Sequence, residues 1–328
     1  MQRKLASIQK ILDIQPIERA DAIEVASILG WKVVVKKGEF KVGDLVVYAE
    51  IDAVFPPKEE FEFLRNKKYR IRTIRLRSQL SQGICFSLSI LPDQNVNEGD
   101  DVTEVLGIVK WEPAEPIILS GDNKGRFPSV PKTDEIRLQS FPKLIEEFQG
   151  LECYSSVKID GTSSTFANMN GEIDVCSRKM SKKEGDTVYW KMAEKYNILD
   201  ILKEVGNFAI QGEIAGPGIQ KNRLGLQKVD LFVFNVYNIS ETKYLDFTEF
   251  IRFCQRFNLT TVPIENDGFV FNHNLDQLLD MAKGKYDGTN NNREGLVIRP
   301  LIERYSEVLN GRLSMKIINN DFLLKNGE

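Results

Sequence analysis

Lys158-Ile159-Asp160-Gly161 sets a lysine and a carboxylate two residues apart and ends on a glycine, which permits a tight turn and a close approach of backbone to a ligand. The tetrapeptide alone is short enough to arise by accident, so its weight comes from the islands downstream of it. These are Gln211-Gly212-Glu213, then Glu294-Gly295-Leu296-Val297-Ile298-Arg299, then Ser314-Met315-Lys316-Ile317-Ile318. Each island pairs a charged residue with an apolar, β-branched run, the pattern of a buried strand that delivers a charge into a cleft. A charge on such a strand is costly to bury alone, so the repetition of the pattern calls for a shared counter-ion or a phosphorylated ligand.

Around these islands the chain divides unevenly. At 328 residues it is too long for one ordinary core and suits two domains. Residues 1–108 hold short strand-like runs, among them Lys32-Val33-Val34-Val35, Leu45-Val46-Val47-Tyr48 and Gly83-Ile84-Cys85-Phe86, with Gly38, Gly43-Asp44 and Gly99-Asp100 as turns. A small antiparallel barrel is expected there. A linker is expected over 109–130, in a proline-containing stretch that includes Pro113, Pro116 and Pro128 and reaches on to Pro131 and Pro142. Residues 131–328 alternate strands with helical segments such as Thr187–Ala193 and Leu275–Ala282, so the expected class is α+β.

Composition narrows the chemistry. A hydrophobic share of 42% and a charged share of 28% are those of a soluble globular protein. No apolar run approaches the length of a membrane span, and Met1-Gln2-Arg3-Lys4 leads into a charged segment rather than a signal-peptide core, so a cytoplasmic or nuclear protein without membrane contact is expected. Cys85, Cys153, Cys176 and Cys254 show no CxxC spacing, which argues against a zinc site or a disulfide framework. The single histidine, His273, lies in a turn-like stretch before a helix, which argues against a Ser-His-Asp hydrolase. A net charge of −3 does not announce a nucleic-acid partner, but the run from Arg65 to Arg77 does. Read as a strand, it puts Arg70 and Arg72 on one face and, after a shift, Arg75 and Arg77 on another, with Ile71, Ile74 and Leu76 turned away. The functional reading is a phosphate-tracking strand, and the bland one is an edge strand kept soluble by charge.

The islands contain the parts of a covalent group transfer. A lysine amine held in line and partly deprotonated attacks an α-phosphorus, which makes Lys158 the candidate nucleophile, with Asp160 beside it. Glu294 suits Mg²⁺ or its waters, since hard divalent cations take carboxylate oxygens. Lys316 suits the α-phosphate, where a point charge stabilises the charge that develops during transfer. The plain alternative for Glu294 and Lys316 is a buried ion pair between neighbouring strands. Phe232 and Phe234 lie two apart and share a strand face, where one ring, Phe234, could stack on a purine; plain core is the alternative. Arg178, Lys221 and Arg223 are candidate phosphate ligands or simple surface residues.

Lys158-Ile159-Asp160-Gly161, Ser177-Arg178, Gly212-Glu213, Phe232-Val233-Phe234, Glu294-Gly295-Leu296-Val297-Ile298 and Lys316 resemble, in order and spacing, the motifs of the covalent nucleotidyltransferases, the superfamily of ATP-dependent ligases and mRNA capping enzymes. Within it, Gly212-Glu213-Ile214-Ala215-Gly216-Pro217-Gly218-Ile219-Gln220, the lead-in Pro131–Gln139 and the ending Phe322-Leu323-Leu324-Lys325 resemble the ATP-dependent RNA ligases of the Deinococcus and Naegleria type, the RNA ligase 5 family. The resemblance covers nearly the whole chain. It implies an OB-like nucleic-acid-binding barrel followed by a mixed α/β nucleotidyltransferase (adenylyltransferase) domain of ATP-grasp-like ligase type. It implies ATP and Mg²⁺ or Mn²⁺, and transfer of AMP to Lys158, then to a 5′-phosphate, then release of AMP as a 3′-hydroxyl seals the strand. By position, Glu213 would contact the ribose, Arg178 the nucleic acid or phosphate, Glu294 the metal and Lys316 the α-phosphate. Asp160 would assist the metal-dependent steps, and Arg137 would meet the nucleotide phosphates. Many relatives carry an acidic residue just before the nucleophile that reads the adenine amino group. Here Ser156 and Val157 stand instead, so backbone groups at Val157 and Ile159 would do that reading. Many also carry a second lysine where this chain has Ile318.

A capping guanylyltransferase shares the lysine chemistry but places its OB domain after the catalytic one. A DNA ligase differs in the sugar read at the 3′ end, which a catalytic domain alone does not disclose. A nucleic-acid-binding protein with an inactive second domain is opposed by the joint presence of Lys158, Glu213, Glu294 and Lys316. The expected partner is a nicked RNA or RNA/DNA duplex, because a basic strand follows a duplex backbone without reading bases, and nothing demands more than a monomer.

Overall fold

A computed structural model describes residues 3–112 and 119–326; Met1, Gln2 and the connector prolines Pro113 and Pro116 fall outside the described residues. By contact the chain forms two compact units, one of residues 1–113, 138–142 and 320–328, the other of 114–137 and 143–319. No helix among the described residues is long and apolar enough to cross a membrane.

The first unit is an antiparallel β structure. Its strands are β1 (Ala6–Lys10), β2 (Asp13–Pro16), β3 (Ile23–Ile28), β4 (Trp31–Lys36), β5 (Leu45–Ala49), β6 (Ala53–Val54), β7 (Thr73–Leu76), β8 (Gln79–Gln82), β9 (Ile84–Phe86) and β10 (Val109–Lys110). They pair as β1-β5-β9, β2-β3-β4, β7-β8 and β10-β6. Strand β4 shows why these residues make a barrel wall: Trp31, Val33 and Val35 are buried while Lys32 and Lys36 are exposed, the period-two alternation of a strand with one wet face. The last helix of the chain, Asn320–Asn326, belongs to this unit and packs against β7, with Phe322 and Leu323 buried and the Gln82 side-chain amide donating to Asn320 Oδ1 at 3.2 Å.

The basic run does not form one strand. Residues Glu59–Lys67 make a 3-10 helix, Lys68 and Tyr69 take left-handed backbone with φ of 54° and 58°, and the strand begins only at Thr73. Arg70 is 4% exposed, donates to Asp52 Oδ1 at 2.7 Å and stacks its guanidinium 3.3 Å from the centre of the Trp111 ring. It is a structural cation, because the carboxylate and the indole face hold it inside the unit. Arg72 is half-buried, whereas Arg75 and Arg77 are exposed on a hairpin whose turn is Arg77-Ser78. Ile74 and Leu76, expected to turn inward, are each 40% exposed, and Thr73 is the buried residue of β7.

The second unit carries two antiparallel sheets. Strands β11 (Asn123–Arg126), β13 (Thr162–Met169), β14 (Glu172–Ser177), β15 (Met180–Lys182), β16 (Phe208–Ala215), β17 (Asp230–Asn238) and β18 (Lys243–Tyr244) form a seven-stranded sheet in the order β11-β15-β14-β13-β16-β17-β18. Strands β12 (Glu152–Lys158), β19 (Ile264–Val270), β20 (Gly295–Pro300) and β23 (Met315–Ile318) form a four-stranded sheet in the order β19-β12-β20-β23, and β21 (Tyr305–Ser306) pairs with β22 (Gly311–Arg312). The helices are α1 (Leu144–Phe148), α2 (Val188–Lys195), α3 (Ile198–Val205), α4 (Phe247–Arg256), α5 (Leu275–Met281) and the already described α6 (Asn320–Asn326).

Both helices expected over Thr187–Ala193 and Leu275–Ala282 form. Thr187 caps α2 by accepting from the Trp190 N–H, and Asn274 with Gln277 makes a reciprocal capping box on α5. Helices α2, α3 and α4 bury Tyr189, Leu202 and Phe250 against Phe166, Ile210, Ile214, Leu231 and Val233 of the larger sheet. Alternation then sends the intervening residues of β16 and β17, Glu213 and Phe232 among them, to the opposite face. That uncovered face is where the motif residues gather.

Candidate active site

Strand β12 delivers Lys158 at its C-terminal end. Register places Lys158 opposite Gly295 and, one strand further, Ile318; Ser156 lies opposite Val297 and Lys316. Residues opposite one another, and those two along, share a face, so Lys158 and Lys316 project from the same side of the smaller sheet. Gly295 makes this spacing possible: at φ +154° a Cβ there would stand 2.0 Å from the Ile317 carbonyl oxygen. On the outer side of β23 the Lys316 N–H donates to the Ile136 carbonyl at 2.8 Å, and Arg137 forms an isolated parallel bridge with Lys316, so the lead-in segment touches the sheet edge at the motif lysine.

Glu294 immediately precedes β20, and its Oε2 lies 2.7 Å from Lys158 Nζ, with both side chains about one-fifth exposed, at 17% and 23%. The candidate nucleophile and Glu294 are thus ion-paired with each other. Asp160 is buried and ion-paired with buried Arg223, so Arg223 is an internal partner of the motif while Lys221 is exposed. The Gly161 carbonyl accepts from Gln220 Nε2 at 3.1 Å.

Nothing in the sequence marks Tyr286 as a site residue. Its hydroxyl donates to the Lys158 carbonyl at 3.0 Å and accepts from the Asp160 N–H at 3.0 Å and the Glu294 N–H at 3.1 Å. The ring sits in a small apolar cluster with Val157 and Leu296, and burial raises its phenol above the ordinary range. The Asn291 side chain, from the same loop, donates to the Arg223 carbonyl at 2.9 Å.

The larger sheet supplies Glu213, on β16 opposite Ser163 and Phe232. Burial pushes its carboxyl up to about 7, the Lys158 ammonium opposing the rise and the Glu294 carboxylate adding to it, with the Gly161 backbone and Arg178 lowering it. Gly161 is needed for this closeness, since a Cβ there would lie 2.4 Å from the Ile214 carbonyl oxygen and 2.9 Å from Glu213 Cγ. Ile159 is buried with Ala215 and Val262, and Phe232 and Phe234 pack half-buried against the same cluster. The pairing of β16 with β17 slips at Phe234, which is the extra residue of a bulge, so simple alternation does not run through it. Buried Arg299 donates to the Phe234 carbonyl at 3.1 Å and to Glu135 at 2.5 Å, which holds the bulge in place.

Arg178 is partly exposed, ion-paired with Asp134, and close enough to Glu213 to act on its charge. Of the two backbones expected to read a base, the Val157 N–H already donates to the Pro263 carbonyl at 2.8 Å. Lys158, Asp160, Glu213 and Glu294 are thus brought to one place with Lys316 on the adjoining strand. Arg70, Arg72, Arg75 and Arg77 belong to the other unit.

Among the described residues no three His, Cys, Asp or Glu side chains converge as a metal cage. With Arg223 on Asp160, the carboxylate best suited to a hard cation is Glu294, which fits an ion bound by one or two carboxylates and otherwise by waters and phosphate oxygens.

The OB-fold domain family model matches residues 5–88, and the RNA ligase family model matches residues 151–318. Among curated proteins no sequence matches. Among solved structures, the Naegleria gruberi RNA ligase with PPi is 37% identical with a TM-score of 0.90, the match covering 98% of each chain. A lysine-to-alanine variant of that ligase with ATP and Mn gives 37% and 0.90, and a glutamate-to-alanine variant with ATP and Mn gives 36% and 0.91, again over 98% of each chain. With its motif residues gathered on these two sheets and both matches extending across them, the chain belongs to the RNA ligase family.

Proposed function

We propose that this protein is an ATP-dependent RNA ligase that seals 3′-hydroxyl/5′-phosphate breaks, acting on nicks in duplexes with RNA at the 3′-hydroxyl side. The observation that carries the reading is the Lys158 amine, held 2.7 Å from Glu294 at the end of a strand in register with Lys316. The Naegleria gruberi structures that contain ATP and Mn, AMP and Mn, or PPi support the choice of nucleotide and metal class.

In the first step Lys158 gives one proton to solvent and its neutral amine attacks the α-phosphorus of ATP, forming an N–P bond as the bond to pyrophosphate breaks, with the second proton of the former ammonium also passing to solvent. A bound Mg²⁺ or Mn²⁺ supplies charge neutralisation of the phosphates. Glu294 holds the ammonium in place before reaction, and its carboxylate would hold the ion or its waters. Lys316 stabilises the charge on the α-phosphate, while Glu213 faces the ribose and Phe234 the base. Arg178 and Arg137 steady phosphate oxygens. In the second step a 5′-phosphate oxygen attacks the AMP phosphorus and Lys158 leaves. In the third, the 3′-hydroxyl attacks the 5′-phosphate and releases its proton to solvent, forming the phosphodiester and expelling AMP. Asp160, fixed by Arg223, supports the metal-dependent steps. Exposed Arg75 and Arg77 are the phosphate contacts of the barrel hairpin; buried Arg70 is withdrawn from that role, and half-buried Arg72 is a lesser contributor.

The test is incubation with Mg²⁺ and α-labelled ATP or GTP after pyrophosphate treatment to clear any AMP already attached. Label from ATP that survives denaturation and is lost in Lys158→Ala is expected. Label from GTP alone would indicate capping chemistry, and no label from either would overturn the reading. Joining free single strands as well as or better than nicks would remove the nicked-duplex substrate.

A further inference from the structure

We infer that Tyr286, outside every motif of the nucleotidyl transfer machinery, is a positioning residue that sets the geometry between Lys158 and Glu294. A tyrosine hydroxyl has one proton to give and room for two donors. Tyr286 uses all of that capacity on backbone: it gives its proton to the Lys158 carbonyl and takes the N–H groups of Asp160 and Glu294, at 3.0, 3.0 and 3.1 Å. These three groups come from two segments separated by 136 residues, the same separation as that of the Lys158–Glu294 ion pair.

The bonds lie where the ladder between β12 and β20 gives out. Pairing runs from Cys153–Pro300 to Lys158–Gly295 and ends there, so beyond it no strand-to-strand bond defines how Asp160 and Glu294 approach. The hydroxyl replaces the missing rung. The ring is fixed in turn by packing on buried Val157 and Leu296, which form its cluster, while Leu224 and Met281 only cover that cluster from partly buried positions. The hydroxyl touches no reacting atom. It acts through the backbone of the nucleophile and of the carboxylate that faces it.

The inference rests on the proposed adenylyl transfer and is tested in the same assay. Single-turnover labelling of Lys158 by α-labelled ATP would be followed for the wild type, Tyr286→Phe and Met281→Ala, with thermal midpoints for each. Tyr286→Phe keeps the ring and removes only the hydroxyl, and Met281→Ala loosens the same apolar cluster while leaving the hydroxyl. A positioning role predicts a labelling rate constant lowered about tenfold to hundredfold in Tyr286→Phe, the cost of misplacing a reacting group by up to an ångström, with half-saturating ATP within about twofold of wild type. Met281→Ala should label within about twofold of wild type even where its midpoint falls as far or further. Unchanged labelling in Tyr286→Phe would overturn the inference, as would a loss confined to ATP affinity or one matched by Met281→Ala at equal destabilisation. Absence of label in the wild type would overturn the underlying reading instead, which keeps the two failures distinct.

Discussion

Arg299 is 2% exposed, and its guanidinium is enclosed by acceptors: Ser314 Oγ at 3.1 Å, the Tyr154 hydroxyl at 3.2 Å, the Phe234 carbonyl at 3.1 Å and Glu135 at 2.5 Å. Burial by itself would raise the Glu135 carboxyl, but Arg299 and Arg312 outweigh it and hold the group down at about 2. A carboxylate depressed in the folded state stabilises the fold above its unfolded value near 4.5, and that contribution is lost as pH falls from there toward 2. Glu135→Gln should therefore lower stability at neutral pH by about 3–5 kcal/mol, the cost of leaving a buried charge without its partner. The gap from wild type should narrow below pH 4.5, and urea midpoints across a pH series would show it; a constant gap would refute the assignment. Glu135 and Tyr286 have no chemical signature in the sequence, and Arg223, which reads there as a phosphate ligand or a surface residue, carries none for its pairing with Asp160. Each acts through an interaction across a long stretch of chain, 164 residues for Glu135–Arg299 and 128 for Tyr286–Lys158. Lys158, Glu213, Glu294 and Lys316 are legible because a charge in an apolar strand is anomalous on its own strand.

Two elements meet at Gly161, where β12 has ended and β13 is about to begin. Gly161→Ala would drive a methyl into the Ile214 carbonyl and the Glu213 side chain, so the Lys158 and Glu213 strands must separate. Overpacking of this kind costs about 1–3 kcal/mol, and Lys158 labelling should fall by well over the loss of folded protein. Equal labelling per folded molecule would show that the close approach does not matter. At the β7–β8 hairpin, replacing Arg75 and Arg77 together by alanine should leave labelling intact and weaken nicked-duplex binding. The slope of log affinity against log salt should fall by about 0.7–0.9 for each phosphate no longer neutralised, measured by titration at several salt concentrations. An unchanged slope would return the hairpin to the plain solvated edge. The basic run reads in sequence as a longer strand because alternating charges carry no mark of the left-handed residues Lys68 and Tyr69. The caps of α2 and α5 are readable because capping is written locally, in Thr187 and Asn274.

Taken as a whole, the barrel unit is assembled from three separate pieces of chain, and its last piece is α6. Phe322 is fully buried there, so Phe322→Ala should cost about 3–5 kcal/mol, with the effect felt in the barrel. Hydrogen exchange on the intact chain would locate it: faster exchange in β7 and its neighbours is expected, and loss confined to the larger sheet of the other unit would contradict the assignment. The two-domain plan is legible from length and turn spacing, but the return of the C-terminus is not, since it depends on tertiary docking alone. That return has a consequence for biogenesis. Domains ordinarily fold in the order in which they are made. Here the barrel unit waits for α6, which is made after the whole of the other unit, so a nascent chain that still lacks α6 has an unfinished barrel, and any change that hinders α6 penalises strands made long before it.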